Sequence, residues 1–343
     1  MNKGKNNTEK LVVGVVGLSM GRLHLEAAIH AGAEIAGICD TDPKTLEQKG
    51  NEHCIAPEKR FTDWRDLLKI PEMNTVIIAT PDQLHREMCE AFLAAGMHVM
   101  CEKPLALTRE DMEAIIAAAK KSDRIFMVGQ ICRFTPSFVK AKELVDAGTI
   151  GELYYVESEY AHDYATFLHG WRADPLRHGV VGGGCHAVDL LRWYAGDPLE
   201  VFAYGSHKLL PQVTYDDATI SVLKFPNGTI GKIFVSTGCK RPYTMRTLLY
   251  GTKGTIICDN TSDHMDLYTL GEDGISVNPA PEVIPMDINN HNARLEFEVF
   301  ADAILNHTPL MMTAEQGART IAVCLSIVES SKTGKPVQPD YNF

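Results

Sequence analysis

No two cysteines in this chain stand at C-x-x-C spacing, and their total of nine is odd. That excludes the common thiol-redox and zinc-ribbon motifs and argues for a reducing compartment over a disulfide scaffold. Positive charge is also scarce. Against 44 Asp and Glu there are 33 Lys and Arg, leaving a formal net charge of −11 and no basic cluster. A nucleic-acid surface, or one for an anionic membrane, needs the opposite balance. Apolar runs are too short and too interrupted to span a bilayer. The stretch from Met1 to Lys10 is polar, without the apolar core of a signal peptide. Internal repeats and low-complexity segments are missing too. His162, His169 and His178 follow no ligand spacing, so no metal is expected. These absences point to a soluble, cytoplasmic protein with neither nucleic-acid nor membrane partners.

What is present is an ordinary globular composition, 45% hydrophobic and 22% charged, in 343 residues, a length that suits two domains. Through residue 130 the chain alternates strand and helix. Apolar, β-branched runs at 11–18, 34–39, 75–79, 98–101 and 125–128 alternate with helical stretches at 20–31, 43–50, 82–95 and 108–121. Such alternation with short loops predicts a doubly wound parallel sheet with helices on both faces. After a helix at 137–147 the rhythm changes to β-like stretches at 152–160, 201–204, 218–225, 229–236, 245–250 and 255–258. Asn227-Gly228 marks a hairpin, and Gly251 to Gly254 marks another turn. One helix at 185–194 interrupts, and two more, 293–306 and 313–331, close the chain. The fold class expected is α/β followed by α+β: a dinucleotide-binding domain over 1–130, then a domain over 131–343 with an open, mostly antiparallel sheet.

The first strand–helix turn reads Gly14-Val-Val-Gly17-Leu-Ser-Met-Gly21-Arg-Leu-His24. Gly17 and Gly21 there let backbone approach a pyrophosphate, and the helix N-terminus attracts its charge. The loop is one residue shorter than G-x-G-x-x-G, with Ser19 and Met20 between the last two glycines. Ser19 is expected to cap the helix and can also donate to phosphate. Asp40 ends the second strand, 23 residues after Gly17. A carboxylate there accepts ribose hydroxyls and repels a 2′-phosphate, which favours NAD over NADP. Thr80, Pro81 and His85 follow the third strand, whose C-terminal edge should face the cofactor.

Lys103 follows a short apolar strand in Met97-His-Val-Met-Cys-Glu-Lys-Pro104. A lysine at a strand end beside a nicotinamide site is a candidate proton-transfer group. Hydride leaves carbon only as the attached hydroxyl loses its proton. Histidine titrates near neutrality, and lysine can polarise the oxygen. Five segments carry a resemblance: Val13 to His24, Ala79 to His85, Glu102-Lys103-Pro104, Gly129 to Pro136, and Cys185 to Trp193. In order and spacing they resemble the glucose–fructose oxidoreductase / inositol dehydrogenase (Gfo/Idh/MocA) family.

The resemblance implies a Rossmann domain and a second domain whose open sheet packs on another subunit, giving a homodimer or homotetramer. It implies sugar, inositol or sugar-derived substrates. By the same resemblance Lys103 contacts the substrate hydroxyl and nicotinamide beside Glu102, Pro104 matches a proline often cis, and His186 is the general base. The family's aspartate four residues before that histidine is replaced here by Gly182. Loops bearing His162, Trp171 and Arg172 are implied to cover the substrate. The expected activity is NAD-dependent oxidation of a secondary hydroxyl on a sugar, inositol or glycoside. The alternatives are a redox-neutral, NAD-dependent sugar hydrolase or lyase, and a non-catalytic dinucleotide or sugar sensor.

Overall fold

The computed structural model describes residues 10–343, so the polar stretch before Lys10 lies outside the described residues. The chain divides into two compact units, one formed by 1–106, 110–129 and 293–317, the other by 107–109, 130–292 and 318–343.

The first unit begins with β1 (Val12–Val16), α1 (Gly21–His30), β2 (Glu34–Cys39), α2 (Pro43–Glu52), β3 (Arg60–Phe61) and β4 (Thr75–Ile78). It continues with α3 (His85–Ala94), β5 (His98–Glu102), α4 (Arg109–Lys121) and β6 (Phe126–Gly129). The strands form one sheet in the order β3-β2-β1-β4-β5-β6, with every neighbouring pair parallel. Every residue of β1, β4, β5 and β6 is buried, as a parallel sheet covered on both faces requires. The order reverses between β1 and β4, and ligands of such sheets bind at that switch point, beyond the strands' carboxyl ends. Asp42 caps α2, accepting from the Lys44 and Thr45 backbone N–H groups, ahead of Pro43 at the first turn. The two-residue β3 escapes sequence reading because it is too short to show a period.

The second unit contains α5 (Pro136–Asp146), β7 (Leu153–Ala161), the single-turn α6 (Gly179–Gly182) and α7 (Cys185–Ala195). Then come β8 (Glu200–Ser206), β9 (Ala218–Lys224), β10 (Ile230–Ser236), β11 (Thr244–Gly251), β12 (Gly254–Asp259), β13 (His264–Thr269) and β14 (Glu282–Pro285). Two helices close the chain: α8 (Ala293–Leu305), which groups with the first unit, and α9 (Ala314–Thr333), most of which groups with the second. The sheet order is β14-β13-β12-β11-β7-β10-β9-β8, antiparallel throughout except where β10 runs parallel to β7. Gly228, at φ +85°, makes the turn between β9 and β10. Val156, Ser158 and Tyr160 alternate inward, toward α7, while Tyr155, Glu157 and Glu159 face outward. On that outer face Tyr204, Ile220, Val222 and Ile230 are all more than 40% exposed.

Residues 293–317 lie after the second sheet in sequence but group with the first unit. There α8 packs on α1, and Val128 donates its N–H to the Met312 carbonyl at 2.8 Å. Among the described residues no helix is long and apolar enough to cross a membrane.

Candidate active site

The carboxyl ends of β1, β2, β4 and β5 carry the first group of candidate residues. Gly17 has φ +84°, and a Cβ there would collide with the Ala79 carbonyl oxygen. Only glycine brings the β1 loop this close to β4. Gly17 donates its N–H to Cys39 O at 2.8 Å, and Leu18 donates to Asp40 Oδ2 at 2.8 Å. The carboxylate of Asp40 therefore holds the glycine loop against β2, and its Oδ1 accepts the Asp42 N–H at 2.9 Å. Two backbone donors leave it lone pairs for a ribose hydroxyl.

Ser19 and Met20 are exposed at the loop tip. Ser19 does not cap α1. The residue at the cap is Met20, with helical backbone and no side-chain hydrogen bond. The shortened loop enters the helix one residue later than a serine cap would need, which leaves the first-turn N–H groups unclaimed by a side chain. Gly21 opens α1 with its Cα packed toward Ala79.

Beyond β4, Thr80 and Pro81 are half-buried. His85 is buried, with Nδ1 3.0 Å from Pro104 O and Nε2 3.3 Å from Thr80 O. It ties the β4 loop to the β5 loop. Lys103 is half-buried just past β5, and its peptide to Pro104 is cis. Glu102 accepts the Lys103 backbone N–H through Oε2 at 3.0 Å, while its Oε1 lies 2.8 Å from His24 Nε2. His24 lies inside the glycine-loop motif, yet nothing in the sequence marks it as the partner of Glu102.

In the second unit His186 is 3% exposed in the first turn of α7. Its ring stacks on Tyr160, at 6.1 Å between centroids and 23° between planes. Its Nδ1 lies 3.3 Å from Cys132 Sγ, and Cys132 in turn donates toward Met245 Sδ at 3.4 Å. With the thiol hydrogen on Met245, the sulfur can accept Nδ1–H. In that tautomer the hydrogen sits on Nδ1 and not on Nε2.

His162 joins the same cluster. Its ring centroid is 4.9 Å from Tyr243 and 5.1 Å from Tyr164, and Tyr160 Oη is 2.5 Å from Tyr164 Oη. Burial pushes the Tyr160 and Tyr243 phenols well above their ordinary pKa, so they stay protonated donors. The structure thus brings His186 and His162 together. Trp171 and Arg172 pair with each other, the guanidinium 4.3 Å above the indole, on a short turn with Arg177 over the same ring at 4.9 Å.

Arg177 lies against Gly182, the position at which the resemblance would place an aspartate. A Cβ at Gly182 would meet Arg177 Nη1 at 2.8 Å, and one at Gly183 would meet Tyr160 at 2.6 Å. The glycines let α6 run directly into α7 under these side chains. Sequence reasoning does not single out Cys132, Tyr243 or Arg177, because each reaches the site from a different element.

The helix bearing His186 is anchored by Asp189. Its carboxylate accepts Arg133 Nε at 2.7 Å and Nη2 at 2.8 Å, and Thr320 Oγ1 at 2.9 Å. Arg192 donates to the same threonine at 2.8 Å. All three charged residues are under 8% exposed. Asp189 is thus a structural anchor.

Residues 11–130 match the description "Oxidoreductase family, NAD-binding Rossmann fold", and residues 138–257 match "GFO/IDH/MocA C-terminal domain". A myo-inositol 2-dehydrogenase of Thermotoga maritima is 30% identical over 263 residues, 73% of this chain and 76% of the relative. A scyllo-inositol 2-dehydrogenase (NAD(+)) of Bacillus subtilis is 26% identical over 341 residues, 94% of this chain and 95% of the relative. Among solved structures, a levoglucosan dehydrogenase in complex with NADH superposes with a TM-score of 0.88 at 22% identity. That match covers 96% of this chain and 99% of the other.

Proposed function

Because this chain belongs to the Gfo/Idh/MocA oxidoreductase family, we propose that it is an NAD-dependent dehydrogenase that oxidises a secondary hydroxyl of a sugar, inositol or glycoside. The observation that carries the reading is Lys103 at the carboxyl end of β5, its backbone held by Glu102, at the edge where such sheets bind ligands. The residues fit the cofactor on structural grounds. Gly17 lets the β1 loop pack against the Ala79 carbonyl at the carboxyl end of β4, and Asp40 stands at the end of β2 with lone pairs to spare. Gly17, Ser19, Met20 and Gly21 would face its phosphates, Asp40 its ribose, and Thr80, Pro81 and Lys103 its nicotinamide half. His85 and Glu102 support that edge from beneath. When bound, NAD supplies the acceptor for the substrate's hydride. Asp40 sets the preference for NAD over NADP by repelling a 2′-phosphate.

Lys103 polarises the hydroxyl oxygen, and His186 removes its proton through Nε2, with Cys132 holding Nδ1. His162, Trp171 and Arg172 contribute to substrate recognition. The tyrosine hydroxyls and aromatic faces around His162 suit a ligand with hydroxyl edges and apolar faces. No observation favours the redox-neutral or sensor readings.

Purified protein supplied with NAD and a panel of inositols, aldoses and anhydrosugars is expected to produce NADH with at least one of them. NADP should serve at least tenfold less well in kcat/KM. Absence of NADH across the panel, despite demonstrated cofactor binding, would defeat the assignment.

The outer face of the second sheet, with Tyr204, Ile220, Val222 and Ile230 exposed, supports self-association into a homodimer or homotetramer, since contiguous exposed apolar surface marks an interface. Sedimentation equilibrium should give a mass of at least twice the 37.8 kDa chain; a monomer at micromolar concentration refutes this. The nine cysteines, all free thiols, support a cytoplasmic location.

A further inference from the structure

Helix α8 comes from the far end of the chain, yet it delivers a carboxyl group into the interior of the first unit. Glu296 is 0% exposed, and among the described residues neither of its oxygens has a hydrogen-bond partner. Beside it lies His24, whose Nδ1 is 3.7 Å from Glu296 Oε2. The other ring nitrogen of His24 is the one 2.8 Å from Glu102. Glu102 is the residue whose second oxygen holds the Lys103 backbone. Three titratable side chains from α1, β5 and α8 therefore form a buried row that ends at Lys103. His24 is 1% exposed and Glu102 7%.

The protonation of that row follows from burial and pairing. A carboxylate without donors in a dry site is strongly disfavoured. Burial pushes the Glu296 carboxyl up to about 8, with the Glu102 charge acting in the same direction and His24 and Lys103 opposing it. For His24 burial works against the charged form, but the hydrogen bond and charge of Glu102 hold its pKa above the ordinary imidazole value. At neutral pH Glu296 is held as the uncharged acid beside His24. Ionising it would add a negative charge to the row that ends at Lys103.

We propose that Glu296 is a positioning residue for Lys103: packed against His24, it closes the buried His24–Glu102 pair that holds the lysine backbone, and while uncharged it places no further negative charge behind the group that polarises the substrate oxygen. The proposal rests on Lys103 acting at the hydroxyl, as argued above. Glutamine copies the neutral acid at nearly the same volume but cannot ionise.

The test compares Glu296→Gln with the wild type from pH 6 to 9. The ratio of variant to wild-type kcat/KM should rise roughly tenfold between pH 7 and 9, the factor by which the protonated fraction of a group titrating near 8 falls. The infrared spectrum of the wild type at pH 7 should show a protonated carboxyl stretch that the variant lacks. A ratio that stays flat across this range, or a spectrum at pH 7 identical in the two proteins, overturns the proposal. Thermal unfolding adds a readout independent of turnover. The folded-state pKa is raised, so the folded form holds a proton that the unfolded form releases above about 4.5. Stability from this group is full below that value and is lost as pH rises toward 8. The wild-type Tm should fall more than the variant's between pH 6 and 9, and parallel curves count against the idea. If Lys103→Ala retains activity, the reading of Lys103 has failed; if it loses activity while the Glu296→Gln ratio stays flat, only the present proposal has.

Discussion

Lys103→Ala is expected to lower kcat by roughly 100- to 10,000-fold, the range for removing one proton-transfer group. That is about 2.7 to 5.5 kcal/mol of transition-state stabilisation. The effect should fall on kcat more than on the KM for the sugar, because an ammonium beside the hydroxyl matters most as the oxygen becomes anionic. His186→Ala should lie in the same range. If both groups serve one hydroxyl, the double variant should be little worse than the poorer single one, because residues acting as a unit are strongly non-additive. Multiplicative losses would mean that the two residues act independently. Stopped-flow single-turnover measurements with each variant check this, since they isolate the chemical step from product release. A Lys103→Ala enzyme with wild-type single-turnover rates would remove the lysine from the chemistry.

The second large effect concerns stability. Asp189→Ala leaves the Arg133 guanidinium, 7% exposed, without the carboxylate that meets two of its nitrogens. Breaking a buried pair on one side typically costs about 3–5 kcal/mol, because the remaining charge stays buried and uncompensated. Thr320 and Arg192 share the network, so its loss reaches α9 as well as α7. The expected outcome is a cooperative unfolding transition shifted strongly to lower temperature or denaturant concentration, with little change in m-value. Asp189→Asn should recover part of the loss by keeping an acceptor for one guanidinium nitrogen. His186 stands one helical turn before Asp189 on the same helix, so residual activity of Asp189→Ala should drop even below its melting range. A variant as stable as the wild type would show that Arg133 finds another partner or water.

These two cases show where the chain's own order of residues is informative. Apart from β3, the parallel sheet of the first unit is legible because its strands are short apolar runs soon followed by a glycine, aspartate or proline, joined by stretches with helical spacing. The glycine loop is legible for a local reason as well: Gly17 adopts a left-handed φ that other residues resist. In the second unit the strands from β7 to β12 are readable through alternation and the Asn227-Gly228 turn. The strands β13 and β14 are not. The run His264 to Thr269 alternates but is flanked by turn-forming residues, and Glu282–Pro285 is exposed or half-buried along its whole length. Ser19 illustrates the opposite failure, a residue type suited to capping at a position where the loop is one residue too short to use it.

The order of residues by itself indicated most strands and helices, where backbone can approach a phosphate, and a lysine at the end of a strand; these depend on short local spacings. His186 was singled out through the family resemblance. Folding in three dimensions decided which groups surround those candidates. Cys132 meets His186 across 54 positions, and His24 meets Glu102 across 78. Glu296 reaches the first unit from a helix that follows the second sheet, and Arg177 covers Gly182. No periodicity encodes such meetings. They follow from the joint packing of many side chains, and the pKa of a buried carboxyl is set by that packing, not by its neighbours in the chain.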